Sequence, residues 1–366
     1  MNLAYFYDTV FDKINSVNKK VLMQTKSFTK FGYNTYLIYR NGLNIIFYNY
    51  TNNSYEKLSF SNTRDYYNKI IAFIKNSDIK LIYTRKFLLD YFMMDFYKRL
   101  HDEVNNIKII MEFPSIPYDK EVLQDEYDTL EIDMYYRKYL HQYIKFSTNF
   151  NNLDEVFGIK SVKIINGFDV QSVPLKEKRK GNDNKIHLVV VSSMSFWNGL
   201  ERIIVGLRNY YEDARHMYEV YIHFVGDGTE IPKYKRMIEE YNLNDYGIFY
   251  GEKYGAELNK IIDKTDIGII NLGLYKVNMA GASSLKISEY ASRGLPFVYA
   301  FDNYAITDSY KYALKFKNDP SDIDINEIVK FYESMIVDPD YNAKIRCFAE
   351  KHLTWDASIE KIIKMF

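Results

Sequence analysis

Asn278-Met279-Ala280-Gly281-Ala282-Ser283-Ser284-Leu285-Lys286-Ile287-Ser288-Glu289-Tyr290-Ala291-Ser292-Arg293-Gly294-Leu295-Pro296 is the stretch on which the reading of the fold turns. Small residues at 280–284 run into a helical segment, and Ser283 or Ser284 stands where an N-cap belongs. Such a start aims the first backbone N–H groups and the positive end of the helix dipole outward, ready for an anion. Lys286 and Glu289 lie three residues apart, so they either pair or act separately, the lysine on a phosphate and the carboxylate on a sugar diol. Gly294 ends the helix and Pro296 opens the next strand. Two readings fit this pattern, an ordinary capped helix of an α/β domain and a diphosphate site.

Outward from that stretch, strand-length apolar runs alternate with segments of helical spacing, the pattern of parallel α/β sheets. In the first half the predicted strands are 3–7, 35–39, 45–50, 81–84, 107–112, 144–147 and 162–165, with helices near 18–31, 63–76, 86–104 and 120–140. In the second half strands at 187–192, 220–225, 247–250, 267–271 and 296–300 enclose helices near 198–210, 231–241, 255–263 and 284–293. From about 324 to 366 the chain reads as helix. The charged stretch 173–184 between the halves has linker composition and is where a domain boundary is expected, giving domains 1–174 and 184–353.

The 366 residues are enough for two domains with substantial cores. Lys+Arg and Asp+Glu balance at 48 each, so the global charge makes no case for nucleic acid as a partner. Cys347 is the single cysteine, which excludes an intrachain disulfide and any CxxC chemistry and suits a reducing cytoplasm. No signal peptide and no run of spanning length is read, although peripheral membrane contact needs neither. The aromatic share, 17% with 36 Tyr and 24 Phe, fits either a carbohydrate-stacking surface or the composition of an AT-rich genome.

The 278–296 segment resembles the donor-binding element of glycosyltransferase family 4, spelled roughly S-x-L-K-x-x-E-Y-x-x-x-G-x-P. Three further landmarks follow the same family in order: Asn166-Gly167-Phe168-Asp169 is similar to N-G-I/V-D, Val225-Gly226-Asp227-Gly228 to V-G-x-G, and Phe249-Tyr250-Gly251 to F-x-G. The resemblance implies a GT-B fold, with two Rossmann-like domains facing each other across a cleft and the final helix, 354–366, packing back on the first. It also implies retaining transfer of a sugar from a nucleotide-diphosphate donor, UDP-sugar over GDP-sugar, to a glycan or lipid-linked acceptor, without an obligatory metal or other cofactor. By the same resemblance Glu289 acts in catalysis and holds the ribose, the backbone near Ser283, Ser284 and Leu285 meets the diphosphate with Lys286, and Gly226, Tyr250 and Gly251 line the nucleotide. The Asp322-Ile-Asp324 triplet spells DxD but reads as a helix cap rather than a metal site.

Several positions depart from the family pattern. Gly281 stands where a glutamate usually contacts the transferred sugar, and Ser193 and Asn198 replace the cations of R-x4-K-G. Asn198 with Glu201 reads as a capping box, and the replacement cation is sought in Arg202, on the exposed side of its helix, in Lys253 or in Lys286. Trp197 before that helix is either a stacking surface or core. In the first domain, Asn18 lies in a loop expected near the donor, Glu112 replaces a family histidine as a sugar ligand or acceptor base, and Arg85 suits an anionic acceptor or an ion pair.

The six histidines show no metal-site pairing, and G-x-S-x-G and P-loop motifs are absent from the sequence. The helix 85–99, rich in Phe, Met and Tyr, is read as core-facing or membrane-facing. Competing functions are another GT-B enzyme, such as a sugar-nucleotide epimerase or glycosyl phosphorylase, and a catalytically silent homologue that binds a nucleotide sugar or a partner.

Overall fold

A computed structural model describes residues 1–11, 16–119, 126–177, 184–213, 216–307 and 309–365. The chain forms two compact units, one from Met1–Ile165 with the segment from Trp355 onward, the other from Asn166–Thr354.

The first unit runs β1 (Asn2–Val10), α1 (Ser16–Lys30), β2 (Asn34–Asn41), β3 (Asn44–Asn49), β4 (Ser54–Ser59), α2 (Thr63–Asn76), β5 (Ile79–Arg85), α3 (Tyr91–Glu103), β6 (Lys108–Phe113), α4 (Tyr127–Tyr136), β7 (Phe146–Asn149), β8 (Glu155–Val156) and β9 (Ile159–Lys163). Its sheet has the order β4-β3-β2-β1-β5-β6-β7-β9-β8, parallel from β2 to β9 and antiparallel at both edges. Strand alternation sorts its side chains between two cores. Ala4 and Phe6 of β1 face a layer built by α2 and α3, whereas Leu3, Tyr5 and Tyr7 face Val21 and Phe28 of α1.

The second unit follows with β10 (Lys185–Val191), α5 (Glu201–Glu212), β11 (Glu219–Val225), α6 (Ile231–Glu240), β12 (Gly247–Gly251), α7 (Gly255–Ile262), β13 (Ile267–Ile269), β14 (Gly281–Ala282), α8 (Leu285–Ser292), β15 (Phe297–Tyr299), β16 (Asp302–Asn303), β17 (Ala313–Lys315), α9 (Ile325–Ile336) and α10 (Tyr341–His352). Its main sheet, β12-β11-β10-β13-β15-β17, is parallel throughout. The strand order reverses between β10 and β13, which makes the carboxyl ends of those strands the crevice where α/β sheets hold ligands. The last helix, α11 (Trp355–Ile363), belongs to the first unit, where Trp355, Ile359 and Ile362 complete the core on the α1 face.

The units divide at 165/166 and not within 173–184 as the sequence suggests. The segment after Asn166 is tied to its own unit by backbone bonds from Phe168 to Leu353 and from Lys176 to Arg293, and Arg346 donates to the Val173 carbonyl. Residues 178–183 of the expected linker lie outside the described residues. Five strands escape the sequence reading, β4, β8, β14, β16 and β17. β4 carries no buried alternation because it is an exposed edge, and β17 has three residues only. Among the described residues no helix is long and apolar enough to cross a membrane.

Candidate functional site

The hydroxyl of Tyr290 fixes α8 to the sheet by accepting from the Val191 backbone at 3.1 Å and donating to the Ile269 carbonyl at 3.4 Å. Gly268 is required opposite it, since a Cβ there would enter the Tyr290 ring. The helix thereby starts beside the reversal of strand order. Ser284 takes the N-cap position with extended backbone, yet its side chain makes no capping bond. Ser283, by contrast, is engaged: its hydroxyl accepts from the Asn166 backbone at 3.1 Å, and its carbonyl accepts from the Asn166 side-chain amide at 2.7 Å. Asn166 also accepts from the Ser288 hydroxyl at 2.8 Å.

Two cavities open at the strand ends. One of about 290 Å³ is lined by Ser192 and Ser193 after β10, Gly226 after β11, Lys253 and Tyr254 after β12, and Lys286 of α8. The other, of about 60 Å³, lies at the strand reversal against Ser192, Asn198, Asn271, Ser284 and Lys286. Gly226 adopts φ 127°, and a Cβ there would overlap the Ser192 carbonyl, so only glycine lets these turns close on one another.

Glu289 is 8% exposed. It receives Lys286 Nζ at 2.7 Å and Arg293 Nη2 at 3.5 Å. Burial opposes its charge, but the two cations prevail and hold the carboxyl below its ordinary range. Tyr250 and Gly251 end β12, where Gly251 accepts from the Gly226 backbone at 2.8 Å. The Tyr250 hydroxyl is 2.9 Å from His223 Nδ1, and His223 Nε2 is 2.9 Å from His187 Nδ1.

The structure therefore gathers Gly226, Lys253 and Lys286 at one cavity, with Ser284 at its neighbour and Glu289 tied in through Lys286. Other expected residues fall elsewhere. Arg202 is 2% exposed instead of facing solvent. It donates to the carbonyls of Ser321 at 2.6 Å, Lys317 at 3.0 Å and Leu272, and so braces loops. Asn198 does not cap α5. It closes a short 3-10 turn by accepting from the Ser195 backbone at 2.7 Å, and α5 starts three residues later at Glu201. Trp197 lies on that turn, half-exposed and edge-on to Phe196. Gly281 belongs to the short ladder of β14 with β16, where a Cβ would strike the Asp302 carbonyl and approach the Tyr304 hydroxyl to 2.6 Å. Asp324 caps α9 by accepting from Asn326 at 2.8 Å, as the sequence reading of Asp322-Ile-Asp324 anticipates.

The remaining expected residues lie in the first unit. Asn18 is buried within α1 and not in a loop. Glu112 stands near the end of β6 with no exposure. Its Oε1 accepts from Arg85 at 2.8 Å and Lys20 at 3.0 Å, while Oε2 accepts from Gln24 at 2.5 Å and Tyr83 at 2.9 Å. Burial pushes the Lys20 ammonium down to about 8 against the pull of Glu112. Burial also works against the Glu112 charge, yet Lys20 and Arg85 hold its carboxyl below the ordinary range. The sequence reading missed Lys20, Gln24 and Tyr83 here, and Ser192, Asn271 and Tyr254 at the cavities. The rule that ligands sit at carboxyl strand ends points to Ser192 and Asn271 from strand boundaries alone.

No protein-family model matches the chain, and no curated protein matches it. Among solved structures it is similar to a glycosyltransferase from Rickettsia africae ESF-5, 13% identical, with a TM-score of 0.66 over 99% of this chain and 97% of that one. A sucrose-phosphate synthase from Thermosynechococcus elongatus is 12% identical, with a TM-score of 0.62 over 100% and 98% of the two chains. The lipopolysaccharide outer core galactosyltransferase WaaB is 12% identical, with a TM-score of 0.61 over 100% and 99%. Together with the two parallel sheets, these likenesses define the class: the chain has the α/β GT-B glycosyltransferase fold.

Proposed function

We propose that this protein is a retaining glycosyltransferase, moving a sugar from a nucleotide-diphosphate donor, a UDP-sugar over a GDP-sugar, to a hydroxyl of a glycan or lipid-linked acceptor. The observation that carries the reading is the cavity of about 290 Å³ at the carboxyl ends of β10, β11 and β12, beside the start of α8. In this reading the open N–H groups of Leu285 and Lys286 with the Lys286 ammonium take the diphosphate, and no metal is obligatory. Glu289 turns from Lys286 to the ribose when the phosphates draw the lysine away. Lys253 supplies a second cation, and Tyr250 and Gly251 border the base. A similar structure, an α-glucosyltransferase in complex with UDP and DNA, TM-score 0.56, supports the choice of base.

Glu112 is a positioning residue in this scheme and acts by fixing Lys20 and Arg85. The setting is the cytoplasm, with peripheral contact to a membrane and a role in bacterial surface polysaccharide. A second reading, a nucleotide-sugar-binding homologue without turnover, is favoured by Gly281, whose surroundings leave no room for the glutamate of the resembling family. The test is thermal stabilisation by UDP, GDP, ADP and their sugar conjugates, followed by release of UDP from the conjugate that stabilises most. Stabilisation confined to uridine nucleotides with turnover supports transfer. Stabilisation without turnover over a wide acceptor panel supports the second reading, and no stabilisation at millimolar concentration overturns both.

A further inference from the structure

Another cavity lies wholly in the first unit and is larger than those at α8. It has a volume of about 560 Å³ and runs between α3 and the helical segment formed by α4 and the 3-10 turn that continues it, Arg137–Gln142. That is within the range of pockets that hold ligands of several rings. Tyr135, Tyr139 and Tyr143 recur every four residues along one wall, and Tyr91, Asp95 and Lys98 follow helical spacing along the other. Tyr91 is 54% exposed, Tyr135 57% and Tyr139 40%. Tyr135 packs edge-on against Tyr136 at 5.1 Å and at a tilt against Tyr139 at 5.6 Å, and Tyr135 and Tyr139 keep substantial exposure despite these contacts.

We propose that this groove binds a run of uncharged pyranose rings of an oligosaccharide. A tyrosine offers an apolar face for the C–H side of a sugar ring and a hydroxyl for its rim. Here several such side chains share one trough with the carboxylate of Asp95 and the amide of Gln142, which bond sugar hydroxyls in both directions. Charge separates a neutral glycan from the other ligands of aromatic surfaces. The lining holds one acidic and one basic group, Asp95 and Lys98, and Lys98 is already paired with Asp102 at 2.7 Å. The lining leaves no cationic surplus for anionic headgroups or a nucleic-acid backbone, and on the same helical segment the exposed Asp128 and Glu131 outnumber the exposed Lys138.

The inference concerns the first unit alone and does not depend on the nucleotide cavity. Its test is titration of the full chain with maltohexaose, cellohexaose and chitohexaose, followed by saturation-transfer NMR. Binding of at least one at millimolar concentration is expected, weakened about tenfold or more in the double variant Tyr135→Ala/Tyr139→Ala and unchanged in Tyr127→Ala, an exposed tyrosine outside the lining. No binding of any of the three at 10 mM, or equal binding by the double variant, overturns the proposal. So does co-sedimentation with phosphatidylglycerol vesicles that the double variant loses, which assigns the surface to a membrane instead. Stabilisation by UDP is measured on the same samples: its loss with sugar binding intact tells against the donor site alone, and the reverse pattern tells against the groove alone.

Discussion

Asn166 holds Ser283 by two bonds, its backbone N–H on the serine hydroxyl at 3.1 Å and its side-chain amide on the serine carbonyl at 2.7 Å. A residue 117 positions away in sequence thus sets the turn that starts α8. Replacement by alanine keeps the backbone bond and removes the amide. Asn166→Ala is expected to cost about 1 kcal/mol of stability and to weaken UDP binding about tenfold through the loosened turn. Calorimetric titration alongside urea denaturation checks both figures. Wild-type affinity in a folded variant removes Asn166 from the site.

Glu289 is buried between Lys286 and Arg293. Glu289→Ala removes the partner of both cations and is expected to abolish transfer and UDP-induced stabilisation while far-UV circular dichroism stays unchanged. Glu289→Gln retains hydrogen bonding without charge and is expected to bind UDP more weakly than wild type and to recover little turnover. Full activity in either variant overturns the assignment of the ribose ligand.

Glu112 is expected to behave as a structural anion. Glu112→Gln leaves Lys20 and Arg85 facing a neutral amide inside the first unit, and breaking such a buried pair costs about 3–5 kcal/mol. The carboxyl is held below its unfolded value, so its contribution is complete above the ordinary glutamate range and is lost as the pH falls through the lower, folded value. Urea denaturation at pH 7 and pH 4 measures it. A variant as stable as wild type at pH 7 removes the ion cluster as a stabilising feature, and unchanged turnover in a stable variant removes its positioning role.

What was legible in the sequence, and what was not, follows from the range over which each signal acts. The strands of the two largely parallel sheets announced themselves through continuous apolar runs such as 188–191, because a strand buried on both faces leaves no other composition. The α8 start was legible from small residues and serines in register. Arg202 was misread because three backbone carbonyls from distant loops receive it, and helical spacing alone marks it as polar and therefore outward. Glu112 was placed near the right strand end, but its partners Lys20 and Gln24 come from α1, packed on the face that β1, β5 and β6 share, a juxtaposition only the sheet order creates. The boundary after Ile165 carries no compositional mark, since Asn166 belongs to its unit through hydrogen bonds and not through hydrophobicity.

His223 is 4% exposed in β11. Its two ring nitrogens contact the His187 imidazole and the Tyr250 hydroxyl, each at 2.9 Å. Burial, then the neighbouring His187 and Lys264, push it down to about 3. The unfolded chain takes up this proton near pH 6.5 and the folded chain only near pH 3. The contribution is therefore full above pH 6.5 and is lost as the pH falls from 6.5 toward 3, at up to about 1.4 kcal/mol per pH unit. His223→Gln keeps an amide in the chain of hydrogen bonds and removes the titration. Between pH 6.5 and 5 the wild type is expected to lose on the order of 2 kcal/mol more than the variant, read as the difference of two urea-denaturation series. Because Tyr250 borders the proposed base site, UDP affinity is expected to fall over the same interval in the wild type and to stay flatter in the variant. Parallel stability profiles would mean that His223 is solvated or already charged in the fold.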